Sequence, residues 1–324
     1  MAVATKADVL IAGELVYAAP LVAEKLGLPW VSLILSPFSF FSSIDPSVTP
    51  NFPQLFHLRK AGSSVYGLAL TLGKIATRHW SNPVRRLRRD EGLRVECDPV
   101  FRDKFSPYLV LALFSQWFAP KQSDWPVHTL QTGFVPFVTQ PDAEELSKLT
   151  KFLSSGPAPV VFTQGSAAVH NPRDFYTLSS MAARRLGLRA VLLGKSPSSE
   201  PDQDDTLTLP YMPYSEIFPY GCINVHQGGS GTVGEALKAG RPMLVVPYGW
   251  DQPDNAARLE RLGVGLHIPR HEYTVEIAVA ALKTLLGDSR FSNRSAQIGA
   301  RLSAEKSLVS ACDAIQSLRL SRTC

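Results

Sequence analysis

Short apolar runs with little polar alternation punctuate the chain: "VLIAG" at 9–13, "WVSLIL" from Trp30 and "YLVLALF" from Tyr108. A strand covered on both faces reads as a continuous apolar run, so these segments predict buried parallel strands. The rhythm is clearer in the second half, where "PVVFTQGS" (159–166), "RAVLLGK" (189–195), "CINVH" (222–226), "PMLVVP" (242–247) and "GLHIP" (265–269) are the strand candidates. Several of the intervening segments read as amphipathic helices, and from Thr274 the pattern is helical to the end. Such β-then-α alternation predicts an α/β fold with open, doubly wound parallel sheets. Pro, Gly and Ser accumulate in "TGFVPFVTQPDAEEL" and "LSSGPAPV". They divide the chain into a first domain over 1–140, a linker over 141–157, a second domain over 158–300 and a C-terminal helix and tail over 301–324.

With 324 residues, 45% of them hydrophobic, the chain is long enough for two such domains, each with its own core. The net charge of +5 is too mild to argue for a nucleic-acid partner. The one dense basic cluster, "RRLRRDEGLR" from Arg85 to Arg94, includes acids and sits in a helical pattern. It reads as a solvated helix face, with a membrane-surface contact as the alternative. Cys97, Cys222, Cys312 and Cys324 are scattered, with no C-x-x-C pair and no His beside them, which fits neither a disulfide framework nor a zinc site. No metal is expected, and a reducing cytoplasm is the default. The opening "MAVATKADVLIAGELV" lacks a basic n-region, and Asp8 and Glu14 interrupt any apolar h-region, so it does not read as a signal peptide. The charge-free run from Leu26 to Ile44 carries Gly27, Pro29, Pro37 and several serines, and reads as a buried strand followed by a loop.

The candidate chemistry lies in "CINVHQGGSGTVGEALKAG", residues 222–240, where Gly229, Gly231 and Gly234 have the spacing G-x-G-x-x-G. A strand that ends in glycines and turns into a helix presents unpaired N–H groups and the positive end of the helix dipole at one point, which suits phosphate. Gly228, Gly229 and Gly231 let backbone approach an anion, and Thr232 adds a hydroxyl. A tight β–α turn with glycines only for packing is the bland reading of the motif alone. A dinucleotide fingerprint also requires that the glycines follow the first strand of their domain. Here two strand candidates precede them, and the acid that would bind ribose, Asp251, follows Pro247 in a loop that opens the next helix. Three further features converge on the same sheet edge. His226 closes its strand where an imidazole can donate to a phosphate oxygen. Glu235 lies early in the following helix, within reach of a ribose diol. Asp251 and Gln252 offer the acceptor and donor mix that reads sugar hydroxyls.

The stretch from "YMPYSEIF" through "HQGGSGTVGEALKAGRPMLVVPYGWDQPDNA" resembles the donor box of the GT-B fold nucleotide-sugar glycosyltransferases of family GT1, in particular the bacterial macrolide-type and plant secondary-metabolite enzymes. The resemblance implies two Rossmann-like domains. It implies that His226 and the turn Gly229-Ser230-Gly231-Thr232 hold the diphosphate, Glu235 the ribose, and Trp250, Asp251 and Gln252 the hexose. Tyr211 falls where an aromatic residue stacks on the base, and the Met212 backbone where the base edge is read. "FTQGS" resembles the first donor-domain loop, so that Gln164, Gly165 and Ser166 line the phosphates from the other side. Plant members have glutamine where this chain has Tyr214, which leaves uracil against thymine open. The implied activity is transfer of a hexose from a UDP- or dTDP-sugar, with inversion, to a hydroxyl of a small lipophilic acceptor, without cofactor or metal. The acceptor class rests on "SPFSFFSSI" and its neighbours, which read equally as core packing.

The first domain resembles only the later part of the family's acceptor domain. About four strands and the loop with the general-base histidine have no counterpart, and Gly13, with Glu14 beside it, stands where plant members have the aspartate that orients that histidine. Glu14 and His170 are then the remaining base candidates. An incomplete parallel sheet further predicts that a partner chain, a second copy or an N-terminal segment covers its open edge. The alternative functional reading is a donor-binding subunit or inactive paralogue whose partner supplies the base.

Overall fold

The computed structural model describes residues 7–50, 53–165, 174–194 and 205–320. They form two compact units, residues 1–135 with 305–324, and residues 136–304.

In the first unit four parallel strands, β1 (Leu10–Gly13), β2 (Trp30–Ile34), β3 (Leu109–Ala112) and β4 (Thr129–Gln131), lie side by side in chain order. β2 and β3 are nearly continuous in buried residues, as their unalternated sequences predict. β1 pairs only with β2 among the described strands, and Ile11 on it is exposed. β4 was not legible as a strand: its three residues, Thr-Leu-Gln, alternate too briefly to give a periodic signal. α1 (Ala19–Leu26) connects β1 to β2, and α2 (Ser63–Ala76) and α3 (Asn82–Asp90) lie between β2 and β3. Gly27, with φ +62°, ends α1 in the left-handed conformation that suits glycine. Within the aromatic segment after β2, Phe40 packs in the core, buried and stacked on Trp125 with ring centroids 4.0 Å apart, while Phe38 and Phe41 are half-buried and Ile44 is exposed.

The second unit begins with α4 (Ala143–Ser154), inside the stretch expected as a linker. Asp142 caps it by accepting from the N–H groups of Glu144 and Glu145. Six parallel strands then run β5 (Val160–Thr163), β6 (Ala190–Leu193), β7 (Thr206–Leu209), β8 (Ile223–His226), β9 (Met243–Val245) and β10 (Gly265–His267). Their spatial order is β10-β9-β8-β5-β6-β7. The chain steps outward from β5 to β7, returns to pair β8 on the other side of β5, and steps outward again. That is the doubly wound order, with its switch point between β5 and β8. β7 is the second strand missed from sequence, a half-buried edge of alternating Thr and Leu.

Beside α4, the helices of this unit among the described residues are α5 (Phe175–Arg185), α6 (Tyr214–Ile217), α7 (Ser230–Ala239), α8 (Gln252–Leu262), α9 (Val275–Gly287) and α10 (Ser289–Ser303). The core joins β5, β8 and β9 to α5 and α9 through residues such as Phe162, Phe175, Val225, Leu244 and Leu282. Two glycines set the contact of α10 with α7: a Cβ on Gly299 would stand 2.8 Å from Gly240 Cα. The last helix, α11 (Ser307–Leu320), returns to the first unit, where Ala311 packs with Val31 and Leu111. The chain is thus helical from Thr274 as its pattern predicts, and residues 305–324 group with the first unit.

Candidate functional site

The carboxyl ends of β5 and β8 are neighbours, with Val225 in register with Phe162, so the loops after them open at the switch point. The glycine loop follows the fourth strand of its sheet, not the first, which removes the dinucleotide reading on topology. After β8 the backbone turns through Gly228, whose φ of +87° is costly for any side chain. A Cβ there would also stand 2.8 Å from Val245 Cγ1 and 3.3 Å from the Gln252 carbonyl. Gly229 is the N-cap of α7 and has no side chain to cap it. The first helical bond runs from Val233 N–H to the Gly229 carbonyl at 2.9 Å, so the amides of Ser230, Gly231 and Thr232 are left outside the helical ladder. A Cβ on Gly231 would meet nothing within 4 Å, which marks open space on its side of the turn.

His226 is fully buried at the end of β8. Its Nδ1 accepts the Gly228 N–H at 3.1 Å, which fixes the neutral tautomer with the proton on Nε2. Burial pushes its pKa down to about 3, so the ring stays neutral. The Nε2–H has no partner among the described residues. Close by, two more buried polar atoms, Gln164 Oε1 and Gln227 Oε1, have no partner among the described residues. The Gln164 amide donates to the Tyr248 hydroxyl, and Gln227 Nε2 donates to Thr232 Oγ1 at 3.4 Å. The Gln227 side chain lies against Gly165, where φ is +62° and a Cβ would collide with the Gln227 amide. Unpaired buried donors and acceptors are costly in a folded protein, and three at one switch point make it the candidate ligand site.

The sugar-side candidates lie beside this turn. Asp251 Oδ2 accepts from Ser230 Oγ at 2.6 Å and from Asn255 Nδ2 at 2.9 Å, and Asn255 also donates to the Gly228 carbonyl at 2.9 Å. Asp251 occupies the N-cap position of α8 yet makes no capping bond; its carboxylate is turned onto the glycine loop. Gln252 is buried and its Oε1 accepts the N–H groups of Tyr248 and Gly249, at 2.8 and 3.3 Å, holding the "YGW" loop. Trp250 is exposed, with a left-handed φ of +58° that its size makes unfavourable. Glu235 is half-buried in α7; burial raises its pKa, against which Lys238 and the Phe137 N–H act.

Of the two residues expected at the nucleobase, Tyr211 is exposed and Met212 is buried, so that Met212 could offer only its backbone. Tyr214 turns inward: its ring stacks on Phe218 with centroids 4.4 Å apart, and its hydroxyl lies 3.3 Å from Thr163 Oγ1 at the end of β5. Ser166 and His170 lie outside the described residues. Glu14 belongs to the first unit, where it pairs with the buried Lys104 at 3.4 Å beside a small cavity of about 20 Å³, room for one water.

Sequence reasoning missed Gln227, Asn255, Tyr248 and Arg270. The first three stand within the recognised motif, but a glutamine after a histidine, an asparagine in a first helical turn and a tyrosine in a loop carry no distinct signal. Arg270 donates to the Tyr248 hydroxyl at 3.0 Å and pairs with Asp174. It thereby fixes the group that holds Gln164, which lies more than a hundred residues earlier in the chain.

Comparison with known proteins agrees with the two-sheet α/β architecture. Residues 201–313 match the family described as the C-terminal domain of erythromycin biosynthesis protein CIII-like proteins. The O-mycaminosyltylonolide 6-deoxyallosyltransferase of Streptomyces fradiae is 33% identical over 212 residues, which are 65% of this chain and 50% of that protein. The glycosyltransferase GtfE of Amycolatopsis orientalis is 29% identical over 274 residues, 82% of this chain and 63% of that protein. The match therefore spans half to under two thirds of the length of these relatives. Among solved structures, the spinosyn forosaminyltransferase SpnP aligns with a TM-score of 0.70 at 16% identity, over 98% of this chain and 78% of its own. The glycosyltransferase VinC in complex with dTDP aligns with a TM-score of 0.68 at 20% identity, over 99% and 74%. The architecture is that of the GT-B glycosyltransferases.

Proposed function

We propose that this chain, a GT-B glycosyltransferase homologue of family GT1, binds a UDP- or dTDP-sugar at the β5–β8 switch point and transfers its hexose to a hydroxyl of a small lipophilic acceptor, with inversion. The observation that carries this reading is the buried, unpartnered Nε2–H of His226 beside the uncapped N-terminus of α7. Together they supply one side-chain donor and a set of backbone donors around one point, which suits a diphosphate. The acceptor atoms Gln164 Oε1 and Gln227 Oε1 suit hydroxyls, as do the carboxylates of Glu235 and Asp251.

In the reaction the acceptor oxygen bonds to the anomeric carbon as the bond from that carbon to the diphosphate oxygen breaks. The bonding electrons leave with the diphosphate, and the hydroxyl proton passes to a base. Negative charge grows on the leaving group, so donors aimed at it act more strongly in the transition state than before it. His226 serves as one of those donors and not as the base, because its other nitrogen is occupied by Gly228 N–H and its pKa lies far below neutrality.

The donor class follows from titration calorimetry with UDP, dTDP and NAD. Binding of UDP or dTDP without NAD is the expected result, and the tighter of the two identifies the base. His226→Ala removes a hydrogen bond to a charged group, about 1.5–3 kcal/mol, and lowers that affinity roughly 10- to 150-fold. Binding of NAD with neither diphosphate would overturn the proposal.

A further inference from the structure

Residues 46–89 contain eight Lys and Arg and no Asp or Glu, so that of the chain's net +5 all the remaining residues together account for −3. Arg88 is the one buried member, paired with Glu24. Arg59, Lys60, Arg78, Arg86 and Arg89 are exposed, and none has a carboxylate partner among the described residues.

The same stretch exposes apolar surface. Of the 14 residues of α2 only Tyr66 is buried. On the side away from it, Val65, Leu68, Leu72 and Ile75 are 43%, 62%, 59% and 65% exposed. Their spacing of three, four and three residues gathers them within about 80° of the helix circumference. Trp80 and Leu87, further along, are exposed as well. Between the end of α2 and α3 lies an open groove of about 450 Å³ lined by Arg78, His79, Asn82, Arg85, Val95 and Glu96.

We propose that this face of the first unit docks on an anionic phospholipid bilayer, with the α2 stripe entering the acyl boundary and the arginines meeting headgroup phosphates. Charge complementarity selects the occupant: a run of 44 residues without one acid suits a surface that is uniformly negative. The apolar stripe separates a bilayer from a nucleic acid, whose phosphates would satisfy the cations and leave Leu68, Leu72 and Ile75 in water. No helix among the described residues is long and apolar enough to cross a membrane, so the contact is with one face of the bilayer.

The test uses the full chain in flotation with vesicles of phosphatidylcholine alone and of phosphatidylcholine mixed with phosphatidylglycerol. The chain is expected to float with the mixed vesicles and to stay behind with phosphatidylcholine alone. Arg86→Glu/Arg89→Glu removes two cations, each contributing about a fivefold factor in partition. Leu68→Ser/Leu72→Ser should also reduce partition at least tenfold. Both pairs are exposed, and an unchanged thermal midpoint verifies the fold of each variant. Absence of flotation, or flotation that the leucine pair does not reduce, would overturn the proposal. So would a wild-type dimer that the leucine pair turns into a monomer without any vesicle binding, which would make the stripe an interface between copies. Binding to duplex DNA that survives the leucine pair, with none to vesicles, would assign the cations to nucleic acid instead.

Discussion

At the scale of single residues, His226 links stability to pH with a definite sign. Its folded pKa of about 3 lies below the ordinary histidine value, so between the two the unfolded chain binds a proton that the folded chain does not. Stability then falls as pH drops through that window. Between pH 7 and pH 5 this one group accounts for about 2 kcal/mol, and His226→Gln should lose that much less over the same interval in urea titrations. Equal losses in both proteins would show that the ring protonates in the fold. Glycines of the same turn separate folding from binding. Gly228→Ala meets a left-handed φ and Val245 Cγ1, and is expected to cost about 1–3 kcal/mol. Gly231→Ala adds a methyl where nothing stands within 4 Å, inside the first turn of a helix, and should leave stability unchanged or raised by up to about 1 kcal/mol. Its effect is expected in weaker nucleoside diphosphate binding, measured by calorimetry. The sequence made these positions legible because glycine spacing after a strand has few other uses. Gln227, Asn255 and Tyr248 were not legible, since their role depends on which atoms are left unpaired after folding.

At the scale of elements, apolar runs were readable inside a sheet and, in β1 and β10, at its edge, whereas β4 and β7 were not. β2, β3, β5 and β6 announce themselves by mostly apolar residues and β8 by its place ahead of the glycines, whereas β4 and β7 carry threonine in place of an apolar run and have a single neighbour each. Residues 141–157 read as a linker because prolines flank them, although the Asp142 cap and the acids at 144 and 145 are ordinary signals of a helix start. The approach of α10 to α7 rests on a pair of glycines whose partnership no local pattern reveals. Gly299→Ala would place its Cβ 2.8 Å from Gly240 Cα and 3.0 Å from the Leu237 carbonyl. The helices must then separate, at an expected cost of about 1–3 kcal/mol by chemical denaturation. A smaller cost would mean that α10 slides along α7 without loss of core contacts.

At the scale of the whole molecule, the two units differ in charge as well as in topology. Every one of the acid-free residues 46–89 belongs to the first unit, while the candidate donor site lies wholly within the second. A ligand that binds only the native form adds stability to the unit that holds it, about 2.7 kcal/mol when its free concentration is a hundred times Kd. Hydrogen exchange resolves where that stability appears, because protection follows the local opening free energy. With saturating UDP or dTDP, the amides after β5, through the glycine turn and in the first turns of α7 and α8 should slow most. Those of β1 to β4 should exchange as they do in the free protein. In His226→Ala, at the same nucleotide concentration, the added protection at the turn should shrink with the loss of affinity. Protection concentrated in β1 to β4 would instead place the nucleotide on the first unit, and the unpaired atoms at the switch point would then need another occupant.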